Sequence, residues 1–147
     1  MSREILFLIF ALIYGCGSSS GQNPYLKSGY GYVEVEGGEI WYGILGEGDE
    51  TPYLYLHGGP GGKSKGGIYL NDISDNRPVI LMDQLGGGLS TFHQDTTLLK
   101  VDKFVQQVKA LIDKLDLNEF YLTGHSWGTA LALEYYIKHP EGVKGIV

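Results

Sequence analysis

The sequence is poor in several residue types, and each shortage excludes a class of protein. One cysteine among 147 residues excludes an internal disulfide framework and a structural zinc site built on several thiolates. Eleven basic residues against seventeen acidic ones, with no basic cluster, argue against a nucleic-acid partner. Nothing gathers metal ligands at suitable spacing, so no metal and no organic cofactor is implied. Hydrophobic residues at 43% are still enough for the core of one modest domain.

Long hydrophobic runs are also missing. The apolar stretch over residues 5–14 is shorter than the about 20 residues that a membrane-spanning helix needs, and it predicts a signal peptide over residues 1–15. Ile13-Tyr14-Gly15-Cys16 resembles a bacterial lipobox, in which the cysteine becomes the first mature residue and carries lipid. The resemblance implies a chain exported in a bacterium, anchored through Cys16 to the periplasmic or outer-surface side of a membrane, with a flexible tether over residues 16–29. A plain signal peptide with a bystander cysteine is the alternative.

Residues 30–147 have the pattern of an α/β domain. Period-two alternation around Gly37-Gly38 predicts a β-hairpin, and short apolar runs predict buried parallel strands. Helical spacing of apolar residues predicts an amphipathic helix with Gln107 on its polar face. The predicted elements are, in order, strands at 32–36, 39–45, 53–56 and 79–82, a helix at 101–115, a strand at 120–123, a helix at 129–139 and a strand at 143–147. This order indicates a mainly parallel sheet with helices on both faces.

Gly124-His125-Ser126-Trp127-Gly128 fits the pattern G-x-S-x-G between a predicted strand and a predicted helix. Glycines flank the serine because the sharp turn leaves no room for larger side chains. Such a turn would hold the Ser126 hydroxyl exposed at the carboxyl end of the sheet, as a nucleophile. The N–H of Trp127 at the helix N-terminus would then stabilise an oxyanion. A structural turn serine is the alternative.

A second motif, His57-Gly58-Gly59-Pro60-Gly61-Gly62, directly follows the first buried strand, and chance does not explain such a run. Glycine lets a backbone approach a ligand closely, so the N–H of Gly59 is the natural second oxyanion donor. We interpret His57, at the strand end, as a hydrogen-bonding partner that organises the loop rather than as a general base.

A third loop, Asp83-Gln84-Leu85-Gly86-Gly87-Gly88-Leu89-Ser90, follows the second buried strand, and we interpret Asp83 as capping it with Ser90 rather than as a catalytic acid. With this loop the chain resembles the proline iminopeptidases, α/β-hydrolases in which strands lead in order into H-G-G-P-G, D-Q-R-G-x-G-x-S and G-x-S-W-G. The resemblance runs from about residue 31 to residue 147. Leu85 stands where the family has an arginine, which removes a charged contact from this loop.

The resemblance implies an α/β-hydrolase fold and a serine aminopeptidase without a cofactor, acting on peptides with a free N-terminus. Ser126 would attack the first peptide carbonyl, with the N–H groups of Gly59 and Trp127 holding the oxyanion. The enzyme would release the N-terminal residue of the peptide, which the resemblance implies to be proline. The supporting motif positions are His57, Gly58, Pro60, Gly61, Asp83, Gln84, Gly124 and Gly128.

None of the three motifs supplies a candidate for the catalytic histidine. In the family the acid and then the histidine lie well downstream of the nucleophile, and 21 residues follow Ser126 here. His139 would lie about 20 Å away along the same helix. We therefore expect the N-terminal part of a longer enzyme, without the cap and last strands, inactive and poorly soluble by itself. An esterase or other α/β-hydrolase, and a non-catalytic lipid-anchored binding module, remain as alternatives.

Overall fold

The structure is a computed structural model that describes residues 26–147. The predicted signal peptide, Cys16 and most of the predicted tether lie outside the described residues. The elements are, in chain order, β1 (Gly29–Val35), β2 (Gly38–Leu45), β3 (Tyr53–Leu56), a 3₁₀ segment (Ser64–Ile73), β4 (Val79–Met82), a short 3₁₀ turn (Thr96–Leu98), α1 (Val101–Lys114), β5 (Phe120–Gly124), α2 (Trp127–Lys138) and β6 (Val143–Ile146).

The strands form one mixed sheet in the order β1-β2-β4-β3-β5-β6. The predicted hairpin is confirmed, because β1 pairs antiparallel with β2, and β2 continues antiparallel onto β4. The predicted buried strands β3 and β4 are parallel, as are the pairs β3–β5 and β5–β6. The carboxyl ends of β4, β3 and β5 therefore meet along one side of the sheet, which we call the carboxyl edge.

The two faces of the sheet are covered differently. Both α-helices pack on one face, over a core that includes Leu56 and Ile80 from the sheet and Val108 and Leu131 from the helices. The other face is covered by the 3₁₀ segment, whose Leu70 packs on a smaller cluster around Tyr55 and Leu81. Periodicity did not predict the 3₁₀ segment, since its glycines and polar residues form no apolar stripe.

Element ends differ from the predicted ones by at most three residues, the largest difference being that β1 begins at Gly29 where a start at residue 32 was predicted. The predicted helix at 129–139 begins at Trp127 and ends at Lys138. The start was missed because the first turn contains tryptophan and glycine and has no periodic apolar pattern. This turn is joined to the preceding residues by two backbone hydrogen bonds, in which the N–H groups of Gly128 and Thr129 donate to the carbonyls of His125 and Ser126.

One face of α2 is apolar and exposed. Leu133, Tyr136 and Ile137 keep 49%, 45% and 72% of their surface exposed. The neighbouring strand β6 is an edge of the sheet within residues 26–147. Such a patch beside an open strand edge favours self-association, so it is the physical basis for the predicted poor solubility, which stays a prediction. None of the helices in residues 26–147 has both the length and the apolarity to cross a bilayer.

Removing this apolar face is expected to reduce self-association. We expect the double variant Leu133→Gln, Ile137→Gln of residues 26–147 to stay monomeric at concentrations where the parent sequence forms larger species, because it removes the two largest aliphatic groups of the patch. Size-exclusion chromatography with light scattering measures the effect. Tyr30→Gln, at a 76% exposed residue on the opposite edge strand, is the control. Equal association in the double variant and the parent would contradict this assignment.

Candidate active site

Three loops meet at the carboxyl edge. Residues 57–62 follow β3, residues 83–90 follow β4, and residues 124–128 form the turn between β5 and α2. Because β3 lies between β4 and β5, the loop after β3 lies between the other two. The three glycine-rich motifs of the sequence are therefore brought together by the order of the strands.

Ser126 occupies an unusual backbone conformation at the tip of the strand-to-helix turn. Its φ of 54° and ψ of −117° are rare for a residue with a side chain, and such strain is held in place only where the surroundings dictate it. The residue is exposed and its side chain makes no capping hydrogen bond to α2. Trp127 is the first helical residue, so its N–H has no carbonyl partner within the helix. The turn thus presents a free hydroxyl beside a free N–H.

The two glycines of this turn are required by close backbone contacts. A Cβ atom on Gly128 would lie 1.9 Å from the carbonyl oxygen of Leu56 at the end of β3. A Cβ atom on Gly124 would lie 2.5 Å from the backbone nitrogen of Thr129. The turn can form only where both side chains are absent, which is the reason for the spacing G-x-S-x-G.

The loop after β3 lies directly against the serine. A Cβ atom on Gly58 would lie 3.3 Å from the Cβ of Ser126 and 3.0 Å from Nδ1 of His125. Gly59 has a φ of +136° and is joined to Pro60 by a cis peptide bond. This packing brings the segment that carries the Gly59 N–H next to the segment that carries the Trp127 N–H, as the assignment of two oxyanion donors requires.

His57 connects two of the loops and is 1% exposed. Its Nδ1 lies 2.7 Å from the carbonyl oxygen of Gly58, and its Nε2 lies 3.0 Å from the backbone nitrogen of Gln84. Because the Gln84 N–H donates to Nε2, the ring is neutral with its proton on Nδ1. Burial lowers the pKa of His57, with the bond to Gly58 and the charge of Asp83 acting in the opposite direction. Both ring nitrogens are engaged, as expected of a residue that organises the loop.

The neutral His57 makes the fold sensitive to acid. Its folded-state pKa lies below the ordinary 6.5, so below that pH the unfolded chain binds a proton that the folded chain does not. The stabilising contribution is complete above the unfolded pKa and is lost as the pH falls below it. We expect the free energy of unfolding, measured in urea, to decrease between pH of about 7.5 and about 5.5.

The variant His57→Asn tests whether this residue causes the pH dependence. It is expected to be less stable throughout but to lose most of the slope between neutral and acid pH. His139→Asn, at a half-buried histidine at the end of α2, is the control and should keep the slope. An unchanged slope in His57→Asn would show that other groups carry the acid sensitivity.

Gln84 ties all three loops together, a role that the motif alone did not reveal. The side chain is fully buried; its Nε2 donates to the carbonyl oxygen of His57 over 3.0 Å. Its Oε1 accepts from Nε1 of Trp127 over 2.9 Å. The Trp127 ring in turn packs edge-on against Phe104 of α1. One amide therefore fixes the distance between the two loops that carry the candidate oxyanion donors.

Asp83 caps its own loop, as interpreted from the sequence. Its Oδ1 accepts from the N–H of Ser64 over 2.6 Å and its Oδ2 accepts from the N–H of Leu89 over 2.8 Å. Ser90 Oγ donates to the Asp83 carbonyl oxygen over 2.6 Å. The carboxylate is 3% exposed, so both of its oxygens hold backbone rather than facing Ser126.

Leu85, which stands where the family has an arginine, packs into the core. It is 2% exposed, and its N–H donates to Oε1 of Gln107 on α1 over 2.9 Å. Gln107 is 3% exposed, so its predicted place on the polar face of the helix is wrong. The helical period put Gln107 beside polar neighbours, but the backbone of the loop needs a hydrogen-bonding partner that only a buried amide provides here.

No histidine hydrogen-bonds to Ser126 among the described residues. His57 bonds to the backbone of two loops, and His139 lies at the far end of α2, where its ring centroid is 5.3 Å from that of Tyr135. Within residues 26–147 there is also no group of three His, Cys, Asp or Glu side chains that could hold a metal ion. The described residues thus contain a candidate nucleophile and candidate oxyanion donors, and no histidine among them bonds to Ser126.

The fold and the strained serine define the class of protein. Residues 51–147 match the family described as alpha/beta hydrolase fold, which is about two-thirds of the chain. The chain therefore belongs to the alpha/beta hydrolase fold family. Members of a fold family share a scaffold but not a substrate, so more specific similarity has to come from individual relatives.

The relatives are mostly named as proline iminopeptidases. The chain is 42% identical to the proline iminopeptidase of Heyndrickxia coagulans, over 80% of this chain and 41% of that protein. It is similar to the proline iminopeptidase-related protein of Thermus thermophilus, with a TM-score of 0.75 and 30% identity over 82% of this chain and 43% of that one. An epoxide hydrolase mutant of Vigna radiata gives a TM-score of 0.71 at 25% identity, over 82% and 37%. The chain thus spans less than half the length of these proteins.

Proposed function

We propose that this chain is the nucleophile-bearing part of a serine aminopeptidase that releases N-terminal proline from peptides. The observation that carries the proposal is Ser126, exposed at φ 54° in the turn immediately before α2 and packed against Gly58. The relatives named as proline iminopeptidases support the choice of substrate. The run H-G-G-P-G, whose Gly58 packs against the serine turn, supports it over a hydrolase with another oxyanion loop.

The chemistry assigned to these residues is acyl transfer. Ser126 Oγ adds to the carbonyl carbon of the first residue and its proton passes to a general base. The N–H groups of Gly59 and Trp127 hold the resulting oxyanion. Collapse breaks the C–N bond, and the base returns the proton to the leaving amine of the shortened peptide. Water then hydrolyses the ester on Ser126, which frees the amino acid and restores the hydroxyl.

The general base and its carboxylate partner belong to polypeptide outside residues 1–147 in this proposal. Within the described residues both nitrogens of His57 are bonded to backbone, and His139 is at the wrong end of α2. A serine without a base is a weak nucleophile. Residues 1–147 alone are therefore expected to bind but not to turn over substrate.

The direct test compares substrates on the complete natural gene product. Proline p-nitroanilide, alanine p-nitroanilide and N-acetylproline p-nitroanilide distinguish a requirement for proline from a requirement for a free N-terminus. We expect proline p-nitroanilide to be cleaved faster than alanine p-nitroanilide and N-acetylproline p-nitroanilide. Equal cleavage of the acetylated compound would overturn the aminopeptidase assignment, because a blocked N-terminus should not be accepted.

A second candidate is an esterase or another hydrolase of the same fold. The similarity to an epoxide hydrolase mutant favours keeping it, since the same scaffold supports that chemistry in a protein at 25% identity. Turnover of p-nitrophenyl acetate with no release of proline would favour this candidate. A non-catalytic, lipid-anchored binding module is the third, and it would be favoured if the complete gene product hydrolyses none of these compounds.

We also propose that Cys16 anchors the protein to the periplasmic or outer-surface side of a bacterial membrane, behind a signal peptide over residues 1–15. The support is the sequence around Cys16 and the glycine- and serine-rich stretch that follows. Growth with globomycin should leave the unprocessed precursor in the membrane fraction. Processing that is unchanged by the drug, or by Cys16→Ala, would contradict the lipid anchor.

A further inference from the structure

A cavity opens at the carboxyl edge, away from the serine turn. Its volume is about 410 Å³, and its walls come from β2, β4, the start of the 3₁₀ segment and the loop after β4. The apolar part is formed by Trp41, Ile68, Leu81 and Leu89. Ile68 and Leu89 keep 46% and 63% of their surface exposed, so two apolar side chains at this cavity lack full cover in the described residues.

The charge at the cavity is positive. Lys63 and Lys65 both line it, and neither forms an ion pair within residues 26–147. Asp83 also lines the cavity, but its two carboxylate oxygens accept hydrogen bonds from the N–H groups of Ser64 and Leu89. Two free ammonium groups beside an apolar wall suit a ligand with an apolar body followed by a carboxylate.

The position of the cavity relates it to Ser126. The strands β5, β3, β4 and β2 lie side by side, with Ser126 after β5 and the cavity over β4 and β2. Neighbouring strands are about 4.8 Å apart, which puts the cavity about 10 to 14 Å from the serine along the edge. An extended peptide covers about 3.3 Å per residue, so three or four residues span this distance.

The charge also decides which end of a substrate faces the cavity. The residue to be released has a free ammonium group, which Lys63 and Lys65 would repel. The other end of a short peptide has a carboxylate, which they would attract. The leaving part of the peptide is therefore the part that runs from Ser126 toward the lysines.

We infer that this cavity is the binding site for the carboxyl-terminal end of short peptide substrates, with Lys63 and Lys65 holding the terminal carboxylate and Trp41, Ile68 and Leu89 holding an apolar residue before it. The inference rests on the proposed function and deepens it: the enzyme would prefer peptides with three or four residues after the one released. Longer peptides, and peptides whose carboxylate is blocked, would lose the interaction with the lysines.

The test measures binding separately from turnover. The probe is N-acetyl-Ala-Leu-Ala, in which the acetyl group stands in for the released residue, compared with its C-terminal amide. Isothermal titration of the complete natural gene product with Ser126→Ala excludes hydrolysis. We expect the free carboxylate to bind about tenfold more tightly than the amide at low salt, because two exposed ion pairs each contribute modestly. The difference should shrink at high salt, since the lysines are exposed.

Two double variants separate the cavity from general surface charge. Lys63→Gln, Lys65→Gln should abolish the preference for the carboxylate and leave binding of the amide unchanged. The control double variant is Lys27→Gln, Lys114→Gln. It removes the same charge from the side of the sheet opposite to the carboxyl edge and should keep the preference for the carboxylate. Equal affinities for carboxylate and amide, or a preference that survives the first double variant, would overturn the inference.

Two further measurements identify the source of the carboxylate and separate this inference from the proposed function. Hexanoate that binds as tightly as the tripeptide, through the same lysines, would overturn the peptide assignment in favour of a free alkyl carboxylate. With Ser126 intact, Pro-Ala-Leu-Ala should be cleaved with a KM about tenfold below that of its amide and an unchanged kcat. If proline is released from the peptide and from its amide with equal KM, the inference fails and the proposed function stands. If the carboxylate is preferred through the two lysines but no proline is released, the proposed function fails and the binding site stands.

Discussion

Replacing Ser126 by alanine in the complete natural gene product is expected to lower the release of N-terminal proline by about six orders of magnitude in kcat, as for a nucleophile that acts with its base as a unit. The fold should survive the change. The Ser126 side chain is exposed and makes no hydrogen bond to cap α2, so alanine removes only the reactive atom. Labelling with a fluorophosphonate, followed by intact mass, measures the same nucleophile without a peptide substrate.

Ser28→Ala is the matched control for this result. Ser28 lies at the start of the hairpin, where its Oγ donates to the carbonyl oxygen of Ile44 over 3.3 Å, far from the three loops. It should keep full activity and full labelling. Labelling that persists in Ser126→Ala would mean that another group is the nucleophile and that Ser126 is a structural turn residue.

Replacing Gly128 by alanine is expected to destabilise the protein by about 3 kcal/mol, a large fraction of the stability of a small domain. The new Cβ would lie 1.9 Å from the carbonyl oxygen of Leu56 and 2.9 Å from that of His57. Both are backbone atoms in and beside a central strand, so neither can move away by changing a rotamer. The helix α2 would have to shift from β3, taking Ser126 and Trp127 with it.

Urea unfolding compares this variant with Gly66→Ala. A Cβ atom on Gly66 would lie 3.5 Å from the hydroxyl of Tyr55, an ordinary contact, so the control should unfold within about 1 kcal/mol of the parent. Equal stability of the two variants would contradict the close contact of the turn with β3. Soluble Gly128→Ala should also label more slowly with fluorophosphonate than the parent, because the serine turn is displaced.

Local sequence patterns were sufficient for most of the fold. The strands at 53–56 and 79–82 have the predicted bounds, because continuous apolar runs between glycine-rich loops allow few other interpretations. The position of Ser126 between a strand and a helix was also predictable, since the two glycines that the sharp turn requires both lie within the five residues of G-x-S-x-G. The 3₁₀ segment at Ser64–Ile73 was not, as its cover of the sheet depends on contacts with Tyr55 and Leu81 rather than on its own pattern.

The sequence by itself determined the class of fold, the strand-to-helix turn at Ser126 and the glycine-rich loops that follow the buried strands, because hydrophobic period, glycine spacing and turn geometry act over a few residues. Only the tertiary structure decided how these parts are joined. Gln84 bonds to a tryptophan 43 residues away, Leu85 to a glutamine 22 residues away, and the lysines at 63 and 65 share a cavity with Trp41 and Leu89. Such contacts depend on the order of strands in the sheet, which no local pattern contains.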